Sequence, residues 1–483
     1  MPFNFTLRDY QNKVVEECRQ AYSGGYKAPL LVAPTGSGKS IIFSYIAYHA
    51  AAKGRKILIL VHRKELLKQV SGYLRKIGLL HGYITAGRQM SVAPVQVATV
   101  QTVARRLGKI QHIDPDLIIV DEGHHSVAGT WCKALDAFPK AKLFFCTATP
   151  LRLDGKGLGK SCGGFSDCLI KGPSIKNLTA RGFLTKPVVY APPVGIDLSG
   201  IHVRAGDFAK DELEVRIDKR KIVGNVIEHY KRICPGQRAM AFCVSVKHAE
   251  RVAEEFNLAG IPAASIDGTM SDQMRESRLF GLHDLKYQVL TSCELVNEGI
   301  DIPAVSVAIL LRPTMSLGLY MQQVGRCVRP FQGKTETIVL DHVGNCFRHG
   351  LPDEDRDWSL EGIKKPKKKK DEKIIRFRTC PKCYLIYSVS TKICPQCGTE
   401  YTLSKEEIKQ IQGELQRVEQ IQEQYKQKNE VYQARTLEAL IALGKSRGYK
   451  YARQWAERIV AARANKRKSF QERLQNRRYV AVA

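Results

Sequence analysis

Short apolar runs alternate with segments of helical periodicity along the first 350 or so residues of the chain. Each run leads directly into polar residues. Unbroken apolar runs of this length are typical of strands that are buried on both faces of a parallel sheet. They predict an α/β protein with two parallel sheets. The predicted strands are 29–32, 56–61, 95–100, 116–120 and 143–146 in the first sheet, and 238–243, 263–266, 287–290 and 305–311 in the second.

The first predicted strand ends in a glycine-rich turn, Ala33–Ser40, that an apolar helix follows. Strand, turn, Lys-Ser and helix form the context of a phosphate-binding loop, although Ala33 stands where the pattern usually opens with glycine. Lys39 is expected to reach the β- and γ-phosphates of ATP, and the Ser40 hydroxyl to hold Mg²⁺. Gln11, which precedes the loop, is expected to contact adenine. The residues that would surround the phosphates are Thr35, Gly36, Ser37 and Gly38.

An acidic pair follows the predicted strand 116–120. Because ligands bind at the carboxyl ends of the strands in an open parallel sheet, this pair is expected to face the phosphate loop. Asp121 would hold Mg²⁺, and Glu122 would orient the attacking water. His124 is a candidate relay between nucleotide and nucleic acid.

The second predicted sheet has no phosphate loop of its own, but a helical segment after it contains Arg326 and Arg329. Residues three apart share one face of a helix, so both side chains could approach one phosphate. Such arginines stabilise the charge that develops during phosphoryl transfer. The alternative is a pair of arginines on a solvated helix.

Four motifs together, Ala33–Ser40, Asp121–His125, Thr147–Pro150 and Gln322–Arg329, resemble those of superfamily 2 helicases of the DEAH or DExH type. The resemblance covers residues 6–346 and looks closest to the bacterial and phage branch that includes RadD. It implies two RecA-like domains, with ATP and Mg²⁺ in the cleft between them and nucleic acid across both.

The resemblance also implies residue roles that the motifs' own chemistry leaves open. It places Lys39, Ser40, Asp121 and Glu122 in hydrolysis, and Arg326 and Arg329 at the γ-phosphate. The residues expected to couple the nucleotide state to domain movement are His124, Thr147, Thr149 and Gln322. Those expected to contact the nucleic-acid backbone are Arg63 and Thr102, and those expected to lie near the ribose are Gly299 and Asp301.

Charge supports a nucleic-acid partner. The 483 residues carry a formal net charge of +29, and residues 362–483 hold 29 Lys and Arg against 12 Asp and Glu, a net of +17. A positive surplus of this size is typical of proteins that bind a polyanion, and the resemblance favours DNA over RNA.

With no membrane span or secretory leader in the pattern, we expect a cytoplasmic protein of a bacterium or a phage-infected cell. We also expect a monomeric motor, with repair or replication proteins as possible partners.

Four of the 14 cysteines are clustered, as Cys380, Cys383, Cys394 and Cys397. Two Cys-x₂-Cys pairs at this spacing are typical of a closed structural zinc site in a zinc ribbon. Two disulfides are the alternative. The other ten cysteines lie singly in apolar stretches, as expected of buried thiols in a reducing compartment.

These patterns predict two RecA-like domains at 1–194 and 195–350, a basic linker at 351–375, a zinc ribbon at 376–403 and a helical basic tail at 404–483. The tail begins with a long amphipathic helix, which would either pack on its own domain or form a coiled coil. The predicted function is that of an ATP-dependent DNA helicase or translocase. The alternatives are remodelling of double-stranded or branched DNA, RNA unwinding, and an adaptor whose ATPase switches partner binding.

Overall fold

The computed structural model divides the chain into two units, Met1–Glu400 and Tyr401–Ala483. The residues that it describes are 6–85, 92–152, 155–191, 201–204, 206–217, 220–293, 302–362, 377–388, 391–400, 434, 436–447, 449 and 451–460.

Seven of the described strands form a parallel sheet in the order β3-β4-β2-β5-β6-β1-β7. They are β1 Pro29–Val32, β2 Ile57–Val61, β3 Gly82–Ile84, β4 Val95–Thr99, β5 Leu117–Val120, β6 Lys142–Thr147 and β7 Cys168–Lys171. The helices around this sheet are α1 Asp9–Ser23, α2 Lys39–Ala52, α3 Lys64–Lys76, α4 Val100–Arg105, α5 Leu107–Ile110, α6 Gly129–Asp136 and α7 Ile175–Ala180. Short 3₁₀ turns lie at Gln111–Ile113, Gly123–His125 and Lys160–Cys162.

Six further strands form a second parallel sheet in the order β12-β13-β11-β14-β15-β8. They are β8 Lys186–Tyr190, β11 Ala239–Phe242, β12 Ala263–Ile266, β13 Val289–Ser292, β14 Val307–Leu310 and β15 Glu336–Asp341, and a small hairpin pairs β9 Val203–Arg204 with β10 Asp207–Phe208. The helices of this half are α8 Lys210–Ile217, α9 Arg220–Ile233, α10 Val246–Leu258, α11 Asp272–His283, α12 Leu317–Cys327 and α13 Asn345–His349.

The apolar runs are continuous because each central strand supplies two cores. Along β2, Ile57 and Ile59 belong to the core cluster beneath α1, α2 and α3. Leu58 and Leu60 point the other way and pack with Trp131 of α6. Successive side chains point to opposite faces of a strand, so every position is buried when both faces are covered, and apolar residues follow one another without a break. The two parallel sheets confirm the predicted fold class.

The change from the first sheet to the second occurs earlier than the predicted boundary after residue 194. Strand β8 pairs with β15, from Lys186 opposite Glu336 to Tyr190 opposite Leu340. It therefore belongs to the second sheet, although the sequence prediction left it in the first domain. The strand lies in a glycine- and lysine-rich stretch, 151–194, whose periodicity is weaker than that of the segments on either side.

The start of the predicted basic linker is an ordered segment rather than a solvated one. Trp358 and Leu360 pack against the first domain's core, and the Leu360 carbonyl accepts a 2.8 Å hydrogen bond from the Gly159 N–H. A Cβ added at Gly157 would lie 2.0 Å from the Leu360 oxygen, so the close approach requires glycine there. The lysine-rich remainder of this linker lies outside the described residues.

The four-cysteine segment packs on the second domain. Its hairpin pairs β16 Phe377–Thr379 with β17 Ile386–Ser388, and the Ala191 N–H donates to the Tyr384 carbonyl at 3.1 Å. Cys380 and Leu385 are buried in the same core cluster as the strands of the second sheet. The ribbon and the second domain thus share one core.

Within the second unit, α14 Leu437–Ser446 and a helix at 452–460 lie close together. A Cβ added at Gly444 would stand 3.0 Å from the Ala452 Cβ, and Trp455 meets Tyr449 edge-on at 5.1 Å. The predicted amphipathic helix that precedes them lies outside the described residues. Among the helices that the structure describes, none combines the length and apolar character needed to cross a bilayer.

Candidate nucleotide site in the cleft between the two sheets

The glycine-rich turn forms the floor of the candidate site. Gly36 and Gly38 have φ values of 85° and 83°, which side chains rarely adopt. A Cβ at Gly38 would lie 2.4 Å from the Gln11 Nε2, and one at Gly36 would lie 2.9 Å from the Leu184 Cδ2. The positive φ values require glycine at both positions, and the turn can present its N–H groups to one anion.

Lys39 opens α2 and closes over this turn. Its Nζ donates to the carbonyl oxygens of Ala33 and Pro34, at 2.9 and 3.2 Å. Burial lowers the pKa of Lys39, against the opposing effect of the Glu122 and Asp121 carboxylates. The amino group thus has a positive charge that two neighbouring carboxylates stabilise.

The acidic pair follows β5, which lies two strands from β1 in the sheet. The Asp121 Oδ1 accepts a 3.0 Å hydrogen bond from the Glu122 N–H, and Glu122 has the left-handed φ of 53°. Such backbone costs roughly 1–3 kcal/mol, and it persists where the surroundings fix it. Here it turns a buried carboxylate toward Lys39.

The charge state of Glu122 is set by its neighbours. Burial acts to raise its pKa, but the hydrogen bond and charge of His124, with the charges of Lys39 and Arg326, lower the pKa of Glu122 to about 2. Its Oε2 lies 3.4 Å from the His124 Nδ1. Glu122 is therefore a carboxylate throughout the neutral range, and it can orient a water as a hydrogen-bond acceptor.

His124 also links the acidic pair to the end of β6. Its Nδ1 lies 3.1 Å from the Thr147 Oγ1, which donates to the Thr149 carbonyl at 2.9 Å. A Cβ at Gly318, in the first turn of α12, would lie 2.9 Å from the Thr149 Oγ1. A chain of contacts therefore runs from Glu122 in the first domain to α12 in the second.

Helix α12 closes the cleft from the other side. A Cβ at Gly325 would lie 2.6 Å from the Thr35 Cβ, so the helix approaches the phosphate loop directly. Gln322, which is predicted to couple the domains, is buried on this helix. Arg326, in its last turn, places its charge where it acts on Lys39 and Glu122.

The Arg329 side chain reaches the phosphate loop from the segment that follows α12, whereas the sequence predicted that it projects from the helix itself. The prediction that Arg326 and Arg329 share one face of a helix is wrong, because α12 ends at Cys327 and Arg329 lies beyond it. The residue before a proline avoids helical backbone, and Pro330 follows Arg329. Its side chain nevertheless lies at the loop, since a Cβ at Gly36 would be 3.4 Å from the Arg329 Cγ.

Gln11 lies against the underside of the loop. Its Oε1 accepts from the Arg8 N–H at 2.9 Å, and its Nε2 donates to the Ser37 carbonyl at 3.4 Å. The Tyr10 hydroxyl donates to the same carbonyl at 2.8 Å. Gln11 thus belongs to the loop's support, and its contact with adenine stays a prediction.

An aromatic and basic cluster next to Gln11 was missed by sequence reasoning. The ring of Phe183 lies 5.5 Å from that of Tyr10, and the guanidinium groups of Arg8 and Arg181 lie 4.2 and 4.9 Å from its centre. Phe183 stands in a glycine- and lysine-rich stretch without a motif. The available signal was its isolation as an aromatic residue there.

The residues predicted to contact nucleic acid follow neighbouring strands. Arg63 comes after β2 and caps α3, and Thr102 comes after β4, with its Oγ1 2.8 Å from that of Thr99. The Gln101 Nε2 joins the two strand ends by donating to the His62 carbonyl at 3.0 Å. Gly299 and Asp301 lie outside the described residues.

The four clustered cysteines converge in the ribbon. Their sulfur atoms all lie within 4.8 Å of one another, and the Sγ separations of Cys380 from Cys397 and of Cys383 from Cys394 are 3.5 and 3.6 Å. Four thiolates bound at about 2.3 Å around one tetrahedral ion would be separated by roughly this distance. All four are free thiols, which excludes the disulfide alternative in this structure. The cluster fits a zinc ribbon.

Two family models match the chain in series. The first, "Type III restriction enzyme, res subunit", matches residues 4–152, and the second, "Helicase conserved C-terminal domain", matches residues 218–330. The chain belongs to the superfamily 2 helicases. This confirms the resemblance at the level of the superfamily, while the RadD-like branch stays a prediction.

Individual relatives agree with this placement. The chain is 32% identical over 391 residues to a 51.5 kDa protein of a Lactococcus phage, covering 81% of this chain and 82% of that one. It is 28% identical to a protein assigned as the ATP-dependent helicase IRC3 of Saccharomyces cerevisiae, covering 70% of this chain and 51% of the yeast protein. The chain thus spans about half the length of this yeast relative.

The fold is shared with a solved restriction-enzyme subunit. A fragment assigned to the HsdR subunit of a type I restriction enzyme from Vibrio vulnificus superposes with a TM-score of 0.57 at 21% identity. The match covers 73% of this chain and 67% of the fragment. At this identity the similarity shows the fold alone.

Proposed function

We propose that this helicase is an ATP-dependent DNA helicase or translocase that works in DNA repair, recombination or replication. The observation that carries the proposal is the composite cleft. One domain supplies a phosphate loop and an acidic pair, and the other supplies Arg326 and Arg329. The two domains are in close contact here, at Gly325 of one and Thr35 of the other. Hydrolysis in such a site requires both domains together, so each turnover is coupled to their relative movement.

The residues divide the chemistry between them. Lys39 and the turn's N–H groups would hold the β- and γ-phosphates, while Ser40 and Asp121 would hold Mg²⁺, which would neutralise phosphate charge. Glu122 orients the attacking water. Arg326 and Arg329 stabilise the charge that develops on the transferred phosphoryl group.

The contact chain through His124 suits the coupling role. Thr147 and Thr149 join the acidic pair to α12 at Gly318, and Gln322 lies on the same helix. A change at the γ-phosphate would therefore be transmitted to the second domain through side chains that already touch. Arg63 and Thr102, at the ends of neighbouring strands, would hold the nucleic-acid backbone.

We further propose that the four cysteines bind one structural zinc ion. Four sulfur ligands fill a tetrahedral site and leave no position for a reactive water. Zinc would then stabilise the core that the ribbon shares with the second domain.

The proposal is tested by measuring ATP turnover of the wild type and of Lys39→Ala with no nucleic acid, single-stranded DNA, forked DNA and RNA. We expect DNA to stimulate the wild type and Lys39→Ala to be inactive under every condition. Strand-displacement assays on tailed and forked duplexes then distinguish unwinding from remodelling. Turnover that is indifferent to every nucleic acid would contradict the motor and favour the ATP-switched adaptor.

A further inference from the structure

Lys334 lies in the loop before β15, and its side chain runs beneath the end of α12. Its Nζ donates to the carbonyl oxygens of Val305 and Arg329, at 2.7 and 2.8 Å, and also to that of Cys327. The Pro303 carbonyl lies at 3.4 Å. One ammonium group therefore joins loop 302–305, which precedes β14, to the segment that follows α12.

Two buried threonines hold the same segment. The Thr337 Oγ1 donates to the Cys327 carbonyl at 2.8 Å, and the Thr185 Oγ1 donates to the Val328 carbonyl at 3.0 Å. Three successive carbonyls, from residue 327 to residue 329, are thus each bound by a side chain. The carbonyls of Cys327 and Val328 are among the groups that a helix end leaves without intrahelical partners, and that of Arg329 lies just beyond them.

The segment held in this way leads directly to the nucleotide site. Arg329 projects from it toward the phosphate loop, where a Cβ at Gly36 would lie 3.4 Å from its Cγ and 3.8 Å from its Nε. Because Arg329 lies beyond the end of α12, the helix does not fix its backbone. The bonds from Lys334 and the two threonines do so instead.

We propose that Lys334 is a positioning residue that holds Arg329 against the phosphate loop. This inference rests on the proposed ATP hydrolysis and adds to it a residue with no contact to the nucleotide. A side chain displaced by about 1 Å at a reacting centre costs on the order of 100-fold in rate, so the effect of Lys334 is measurable.

Burial of the charged Lys334 ammonium group carries a desolvation cost. Burial lowers the pKa of Lys334 to about 8, and the charge of the Arg329 guanidinium acts in the same direction. Burial also raises the pKa of Cys327 to about 12, so this thiol is neutral in the relevant range. The ring of carbonyl oxygens offsets the desolvation of the ammonium group. Above pH 8 a neutral amine has one N–H fewer for these carbonyls, so the hold on Arg329 weakens.

The test is a double-mutant cycle between Lys334→Met and Arg329→Ala, read as kcat for DNA-stimulated ATP turnover. Methionine keeps the length of the side chain and removes its donors. We expect Arg329→Ala to cost about 1,000-fold, as loss of an arginine finger does, and Lys334→Met about 10- to 100-fold. In the Arg329→Ala background, Lys334→Met should cost less than about threefold, because the residue through which it acts is gone.

Two controls separate positioning from folding. Lys247→Met makes the same change at an exposed lysine of α10 and should leave kcat unchanged. Thr337→Val removes the neighbouring bond to the Cys327 carbonyl and should show the same dependence on Arg329 if Lys334→Met does not fold. The wild-type kcat should also decline as the pH rises through 8, and this decline should be absent in Lys334→Met.

An equal loss from Lys334→Met in both backgrounds would overturn the inference while leaving the motor intact. A full kcat in Lys334→Met would overturn it as well. If Arg329→Ala itself kept full activity, both this inference and the role proposed for Arg329 would fall. Loss of DNA stimulation in the wild type would instead contradict the proposed function.

Discussion

Gly325→Ala tests whether α12 closes directly on the phosphate loop. The glycine lies inside the helix, where alanine is favoured by roughly 1 kcal/mol. Across the cleft, however, the new Cβ would stand 2.6 Å from the Thr35 Cβ and 2.9 Å from its Oγ1. The atom in the way is the first carbon of a side chain, and no rotation of Thr35 can move it.

The size of the effect follows from this distance. Ordinary contact begins at 3.4 Å, so the two elements must separate by roughly 1 Å. Displacement of that order in a site assembled for phosphoryl transfer costs about 100-fold in rate, or about 2.7 kcal/mol in the activation free energy. The second domain should be as stable as before or slightly more so, because its helix has gained an alanine.

The assay compares kcat for DNA-stimulated ATP turnover with the thermal unfolding midpoint of the same preparation. Gly72→Ala is the matched control, since it places alanine in α3 with no heavy atom within 4 Å. It should gain stability and keep its kcat. An unchanged kcat in Gly325→Ala would refute the closed geometry. A kcat that falls together with the unfolding midpoint would show that the variant is misfolded instead.

The remaining predictions concern the acidic pair, the ribbon and the segment that returns to the first domain. His124→Ala should raise the pKa of Glu122 from about 2 toward its usual value of 4.5, so that kcat falls as the pH drops below about 5.5, where the wild-type carboxylate stays ionised. Since the wild-type carboxylate loses its stabilising effect only as the pH falls toward 2, the variant should also unfold at a higher pH than the wild type in an acid titration. Cys380→Ser should abolish binding of the zinc ion that we propose for the ribbon and lower the unfolding midpoint of the second domain, as metal analysis and calorimetry would show. Gly157→Ala should lower the free energy of unfolding by about 1–3 kcal/mol in a denaturant titration, because its Cβ would collide with the Leu360 carbonyl.

Local patterns in the sequence were sufficient to predict the fold class and the motifs of the candidate site. Apolar runs buried on both faces have a short-range signature, and the strands predicted at 56–61 and 116–120 appear as β2 and β5. The phosphate loop and the acidic pair depend on consecutive residues, so their motifs are complete in the sequence. Strands β3, β7 and β8 escaped prediction, because β3 has only three residues and the other two lie in the glycine- and lysine-rich stretch 151–194, where the apolar periodicity is weak.

The way in which the two halves of the site meet could not be predicted from the sequence. The end of α12 at Cys327 places Arg329 beyond the helix, where the preceding carbonyl, that of Val328, is held by Thr185, 143 positions away. The contact of Gly325 with Thr35 joins residues 290 positions apart. Such contacts depend on how two folded surfaces approach each other, and neither surface exists until its own core has formed. A periodic pattern therefore predicts each sheet, while the cleft between them is a property of the assembled fold.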